Sequence, residues 1–332
     1  MAGHEWYRTT RPAIIDAYAL PALHSLWKET MANLPNLTAE QIEHALANVS
    51  DVKYVAQGGQ KVVWSGVVDG TTYAIKFATT PEEFIREEDD ETEVEADPEA
   101  IVRANREVET MRDCASPYMV KLGPIGLNFI EIESQSLLYF TEELIDGSDL
   151  RSLLESDGPL DPDSIITMGI QMTDAIKALW ELGKIHRDIK PGNIMRRASG
   201  DFVLLDAGLA FDVIGESLSG GFLVGTRIYF SPEQFDYSNR RTGLDFRSDI
   251  FALGVTMYEM ATGRHPFWSR GQSSETFYSN VTSLAPEPPS SIVEDFPEDL
   301  DDIIVRMLGK SPHLRYRKCD HLTEALKAAR GQ

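Results

Sequence analysis

Hydrophobic periodicity changes once along this chain, and that change limits the folds open to it. From Val52 to Ala78, short runs rich in Val, Tyr and Thr are broken by Gly58-Gly59 and by Asp69-Gly70, the latter a two-residue hairpin signal, so antiparallel sheet is predicted. Strands resume over Leu127 to Glu133 and Leu137 to Ile145. Between these groups the spacing predicts a helix over Ala100 to Arg112, with Ile101, Ala104, Val108 and Met111 on one face. Beyond Gly147 the pattern is mainly helical, with runs near Asp163 to Leu182, Ser248 to Thr262 and Leu300 to Leu308. The expected class is α+β, a small antiparallel β lobe carrying one helix ahead of a larger, mainly helical lobe.

Ahead of the strands, residues 12–49 read as helix, interrupted by Pro21 and Pro35. Thr38 and Gln41 form a T-x-x-Q capping box, after which Ile42, Ala45, Leu46 and Val49 line one face, as in an extension packed on the neighbouring domain. The expected organisation is a helical extension over 1–50, a first lobe over 51–146 and a second over 147–332. Within the first lobe, residues 81–99 carry eleven Asp or Glu against the single Arg86, which predicts a solvated acidic insert.

A net charge of −22 argues against nucleic acid or an anionic membrane surface as the main partner. Only Cys114 and Cys319 occur, so no disulfide framework is expected. The polar start from Met1 to Thr10 carries no secretory signature, and no apolar run approaches the roughly 20 residues that cross a bilayer. A cytoplasmic protein without membrane insertion is the expectation.

The stretch His186-Arg187-Asp188-Ile189-Lys190-Pro191-Gly192-Asn193, followed by Asp206-Ala207-Gly208, spaces two carboxylates, an amide and an ammonium for moving phosphate. Phosphoryl transfer from ATP needs metal ions held by carboxylate and amide oxygens and a base beside the attacking hydroxyl. Asp188, Asn193 and Asp206 are the candidates.

With these motifs, and with Tyr73-Ala74-Ile75-Lys76 and Gly225-Thr226-Arg227-Ile228-Tyr229-Phe230-Ser231-Pro232-Glu233, residues from about 51 to 330 resemble a eukaryotic-type (Hanks-type) protein kinase of the serine/threonine class. The resemblance implies a bilobal protein-kinase-like fold and a reaction dependent on ATP and Mg2+. Asp188 would align the substrate hydroxyl, Lys190 would neutralise charge on the γ-phosphate, and Asn193 and Asp206 would hold magnesium. Lys76 would hold the α- and β-phosphates, paired with Glu107 on the helix after the insert, with Glu109 as the competing partner.

Val55 to Val63 stand at the place of the glycine-rich loop, with Ala56 for its first glycine, Lys61 for its third, and Gly58 and Val63 in register. The resemblance places Val63, Ala74 and Met195 around adenine and Glu143 and Leu144 in the hinge, with Glu142 or, one residue earlier, Thr141 as gatekeeper. Thr226 would shape the site beside the substrate hydroxyl, Glu233 would pair with Arg315, and Asp249 would hold the backbone of the catalytic loop. Ala207 replaces the phenylalanine of D-F-G, which would loosen the helix-to-loop contact while leaving Asp206 to bind metal.

Arg187 suggests regulation through phosphorylation of the activation loop, with Ser217, Ser219 and Thr226 as acceptors. The acidic insert suggests basic partners or an autoinhibitory contact with Arg227, Arg240, Arg241 and Arg247. Expected partners are protein substrates, the chain itself among them by autophosphorylation. The rivals are a small-molecule phosphotransferase and a catalytically silent binding module.

Overall fold

The structure, a computed structural model, describes residues 35–58, 61–79, 98–206, 211–212, 224–235 and 244–331. The expected helix over 12–34, the acidic stretch 81–97, Ala207, Gly208, Ser217, Ser219, Arg240 and Arg241 lie outside these residues. By its contacts the chain divides into one unit of Met1–Arg112 with Lys121–Leu144 and a second of Asp113–Val120 with Ile145–Gln332.

The first described element of the N-terminal unit is α1 (Ala39–Ala45). Its capping box is formed as the sequence predicts: the Gln41 amide N–H donates to Thr38 Oγ1 at 3.3 Å, and the Thr38 N–H donates to Gln41 Oε1 at 2.7 Å. The helix is shorter than its periodicity suggests. The chain leaves it at Leu46, which lets Val49 join Ile42 and Leu46 in the core beneath the sheet.

The sheet comprises β1 (Ser50–Gly58), β2 (Lys61–Val68), β3 (Thr71–Thr79), β4 (Asn128–Ile132) and β5 (Gln135–Glu143), in the order β1-β2-β3-β5-β4 with every neighbouring pair antiparallel. The turn between β2 and β3 puts Asp69 and Gly70 at φ 49° and 81°, the left-handed pair that a tight hairpin requires. Strand alternation then sorts the side chains. Val62, Trp64, Ile75, Phe77 and Leu137 face one way and form a core with Leu37, Ile42 and Leu46, so α1 covers that face. Lys61, Val63, Ala74, Lys76, Phe140 and Glu142 share the other face by the same registers. Helix α2 (Pro98–Asp113) buries Ala104, Val108 and Met111, with Ile101 half-buried on the same side.

The C-terminal unit is mainly helical, completing the α+β class read from the sequence. Short strands β6 (Gly147–Asp149), β8 (Ile194–Arg197) and β9 (Phe202–Leu204) form one small sheet, and β7 (Lys184–Ile185) pairs with β10 (Phe211–Asp212). Helices α3 (Leu150–Asp157), α4 (Pro162–Glu181), α5 (Phe246–Thr262), α6 (Ser274–Ser283), α7 (Glu298–Met307) and α8 (Cys319–Arg330) surround a single large core. Helix α5 lies at its centre, buried on nearly every side. A Cβ at Gly254 would stand 2.8 Å from Met307 Cβ, so only glycine permits that approach of α7 to α5. Among the described residues, no helix is long and apolar enough to cross a membrane.

Candidate active site

Two clusters of polar side chains stand out, one in each unit. In the C-terminal unit, the loop from His186 to Asn193 joins β7 to β8 and is fixed largely through its backbone. The amides of His186 and Arg187 both donate to the Asp249 carboxylate at 2.8 Å. Asp249 is buried in the first turn of α5, inside a helix that the core immobilises. Burial pushes its carboxyl upward, while His186 and the two backbone donors pull it back. Fully buried His186 contacts the Leu205 carbonyl through Nε2 at 3.1 Å, and burial lowers its pKa.

At the centre of this loop, one oxygen of Asp188 is saturated and the other is not. Oδ2 accepts from Lys190 Nζ at 2.9 Å and from Asn193 Nδ2 at 2.8 Å, whereas Oδ1 is buried without a partner among the described residues. Burial raises the carboxyl's pKa, Lys190 opposes that rise, and the neighbouring charge of Asp206 adds to it. Such an oxygen is an acceptor waiting for a donor.

The Asn193 amide also donates to the Asp188 carbonyl at 2.9 Å, so its nitrogen is engaged and its side-chain oxygen remains as an acceptor. The Leu205 amide donates to the Asn193 carbonyl at 2.8 Å, which ties the residue before Asp206 to this loop. Asp206 has φ 59° and Arg187 has φ 69°, left-handed conformations uncommon outside glycine and held here by the surrounding bonds. Asp188, Lys190, Asn193 and Asp206 are thus brought together as the spacing suggests. The pair of a carboxylate and an amide oxygen suits a hard cation such as Mg2+.

Farther along, Glu233 and fully buried Arg315 form a two-pronged ion pair at 2.5 and 2.8 Å, the pairing anticipated from the motif. Burial alone would raise the Glu233 pKa, but Arg315, a backbone donor and Ser248 together more than offset it, and the carboxyl lies below its usual range. Ser248 Oγ donates to the same carboxylate at 2.8 Å. Thr226 lies in the turn Val224–Tyr229, with its side chain outside the described residues. That turn is anchored by Tyr229, which donates to Glu259 at 2.7 Å, and by half-buried His265, whose Nε2 contacts the Ile228 carbonyl at 2.9 Å.

In the N-terminal unit, Lys76 on β3 and Glu107 on α2 pair at 2.9 Å, both buried. Glu109, the competing partner, is exposed. Glu142 also reaches Lys76, its Oε2 lying 2.8 Å from Nζ, an ion pair without hydrogen-bond alignment. Thr141 points the other way, exchanging hydrogen bonds with the Ile125 backbone, so Glu142 is the gatekeeper candidate that faces Lys76.

Val63 and Ala74 lie on the same face as Lys76. Ala56 is exposed on β1 opposite Val63, and Gly58 ends that strand opposite Lys61. Glu143 and Leu144 are half-buried at the end of β5, where the Glu143 amide donates to the Lys121 carbonyl at 2.8 Å. Met195 is half-buried on β8 of the C-terminal unit.

Sequence reasoning missed the part Lys61 plays. Its ammonium pairs with Glu107, the carboxylate that Lys76 uses. A charged residue in a glycine's place was the available signal, yet side-chain reach across the sheet is invisible in a linear motif.

A family model described as the protein kinase domain matches residues 50–327. Serine/threonine-protein kinase PknE of Mycobacterium bovis is 33% identical over 235 residues, covering 70% of this chain and 39% of that protein. Serine/threonine-protein kinase PknB of Mycobacterium leprae is 34% identical over 224 residues, covering 67% of this chain and 35% of its own. Its counterpart in Mycobacterium tuberculosis is 32% identical over 224 residues, covering 67% and 34%. The matched part therefore spans well under half the length of these curated relatives.

Proposed function

The chain belongs to the protein kinase domain family, and from that premise we propose that it transfers the γ-phosphoryl group of ATP to serine or threonine hydroxyls of proteins. The observation carrying this reading is the divided environment of Asp188, with Oδ2 held by Lys190 and Asn193 and Oδ1 buried without a partner among the described residues. A substrate hydroxyl donating to Oδ1 would satisfy that oxygen and have its own oxygen aligned for in-line attack. Lys190 would then balance charge on the transferred group, and Lys76, oriented by Glu107, would hold the α- and β-phosphates.

Members of this family generally work with ATP and Mg2+. Here the Asn193 side-chain oxygen and the Asp206 carboxylate are the proposed ligands, and the bound ion would supply charge neutralisation along the phosphates. Val63, Ala74 and Met195 are assigned to the adenine, with Glu143 and Leu144 offering backbone groups. Ala56 and Gly58 are assigned to the loop over the phosphates, and Thr226 to the surroundings of the substrate hydroxyl. Family members act on proteins and often on themselves, so autophosphorylation is part of the proposal.

The test is transfer of radiolabelled phosphate from ATP to a generic basic protein by wild type and by Asp188→Asn. The variant is expected to lose roughly 100-fold or more of the rate, the usual share of a positioned base. Undiminished transfer by the variant would overturn the reading. ATP binding without transfer by wild type would point instead to a binding module.

A further inference from the structure

Two side chains on the Lys76 face of the sheet depart from the motif with opposite charges. Lys61 stands where G-x-G-x-x-G-x-V has its last glycine, and Glu142 puts a carboxylate at the gatekeeper position. They join Glu107 and Lys76 in one chain of alternating charge. Lys61 pairs with Glu107 Oε2, Glu107 Oε1 lies 2.9 Å from Lys76 Nζ, and Lys76 Nζ lies 2.8 Å from Glu142 Oε2. Both ammonium groups also sit over the Phe140 ring, at 5.8 and 5.7 Å from its centroid.

Burial makes the arithmetic of this row matter. Side-chain exposure is 22% for Lys61, 8% for Lys76, 6% for Glu142 and zero for Glu107, so each charge depends on its neighbours rather than on water. The row sums to zero. Without Lys61 it carries one negative charge, and without Glu142 one positive charge. Lys61 is the most exposed member, and it sits at the start of β2 in the strand pair assigned to the phosphates.

We propose that Lys61 is a second ammonium drawing the phosphates of ATP to this face, and that Glu142 is the opposing charge that limits that attraction. This rests on the reading of Lys76 as the phosphate-holding lysine. The two departures therefore act with opposite sign on the same quantity. One unit of charge about 6 Å from a phosphate changes affinity by roughly 10-fold at an effective dielectric of about 40, between the values for a protein surface and for water.

The experiment measures binding of ATP and of adenosine to the full chain by calorimetry, for wild type, Lys61→Gln, Glu142→Gln and the double variant. Lys61→Gln is expected to weaken ATP binding roughly 10-fold, Glu142→Gln to strengthen it several-fold, and the double variant to return within roughly 3-fold of wild type. Adenosine, which lacks phosphate, should bind wild type and Lys61→Gln alike. ATP affinity moving in the same direction in both single variants, or adenosine affinity falling with that of ATP in Lys61→Gln, overturns the proposal. So does a double variant roughly 10-fold from wild type, which can be measured even where a single variant with an unpaired buried charge fails to fold. Lys76→Met separates this result from the parent reading: unchanged ATP binding and transfer in that variant would defeat the assignment of Lys76 itself, whatever Lys61 does.

Discussion

The polar clusters of the two units are held by different means. Around Asp188 the fastening is mostly between side chain and backbone: Asp249 takes two loop amides, and Asn193 donates to the Asp188 carbonyl. Around Lys76 it is charge against charge, four ionisable side chains paired in a row. Backbone bonds fix a loop whatever the charge nearby, whereas an ionic row is only as firm as its balance. The motif departures fall in the second cluster. A residue can be exchanged there if another compensates, while an amide that loses its acceptor has no substitute.

The largest expected effect follows from removing that acceptor. Asp249→Ala would take the shared acceptor from the amides of His186 and Arg187, at about 1–3 kcal/mol each, for a total of about 4 kcal/mol of stability. The loop carrying Asp188 would shift, and a misplacement of about 1 Å costs roughly 100-fold in rate. Urea unfolding and the rate of phosphoryl transfer would register both. Should stability and rate survive together, the loop is fastened by something other than these amides, and the contrast between the clusters fails.

The C-terminal cluster was legible in the sequence because its members are close along the chain. Asp188, Lys190 and Asn193 lie within one short loop, and Asp206 follows a three-residue strand. Glu233 with Arg315, and Asp249 with the loop, were readable only because the motif carries the long-range pairing. The ionic row was not legible. Its members come from β2, β3, α2 and β5, and only the strand register sets Lys61 and Glu142 on the side of Lys76. The same register turns Thr141 away and settles which neighbour faces the lysine. The extent of α1 was overread because Val49 continues the apolar periodicity while belonging to the core under the sheet. The branched network of Arg151, Tyr229 and Glu259 has no linear signature at all.

A second way to sharpen the contrast is acid. His265 is held neutral by backbone on both ring nitrogens: Nε2 faces the Ile228 carbonyl, and Nδ1 accepts from the amides of Phe267 and Trp268 at 3.1 and 3.0 Å. Burial lowers its pKa from 6.5 to about 4. Because the folded value lies below the unfolded one, its contribution is complete above pH about 6.5 and is lost progressively as pH falls towards about 4. Between pH 7.5 and 5 the loss is about 2 kcal/mol. Glu142 has the opposite sign, since burial raises its carboxyl pKa despite Lys76, so mild acid favours its folded form. His265→Gln keeps a donor and an acceptor without titrating, and should lose about 2 kcal/mol less than wild type on acidification. Equal losses in thermal melts at both pH values would remove His265 as the cause.

The smallest effect tests whether the two faces of the N-terminal sheet act independently. Helix α1 covers the face opposite Lys76, and its start depends on the reciprocal bonds of Thr38 and Gln41. Thr38→Ala removes the side-chain acceptor for the Gln41 amide and should cost about 1 kcal/mol. Because Ile42 and Leu46 pack under Trp64 and Phe77 rather than against the ionic row, the loss should lower the melting temperature while leaving ATP affinity unchanged. A shift in ATP affinity matching the loss of stability would mean that the packed face transmits strain through the strands to Lys76. The row would then be positioned by the core beneath it as much as by its own balance of charge.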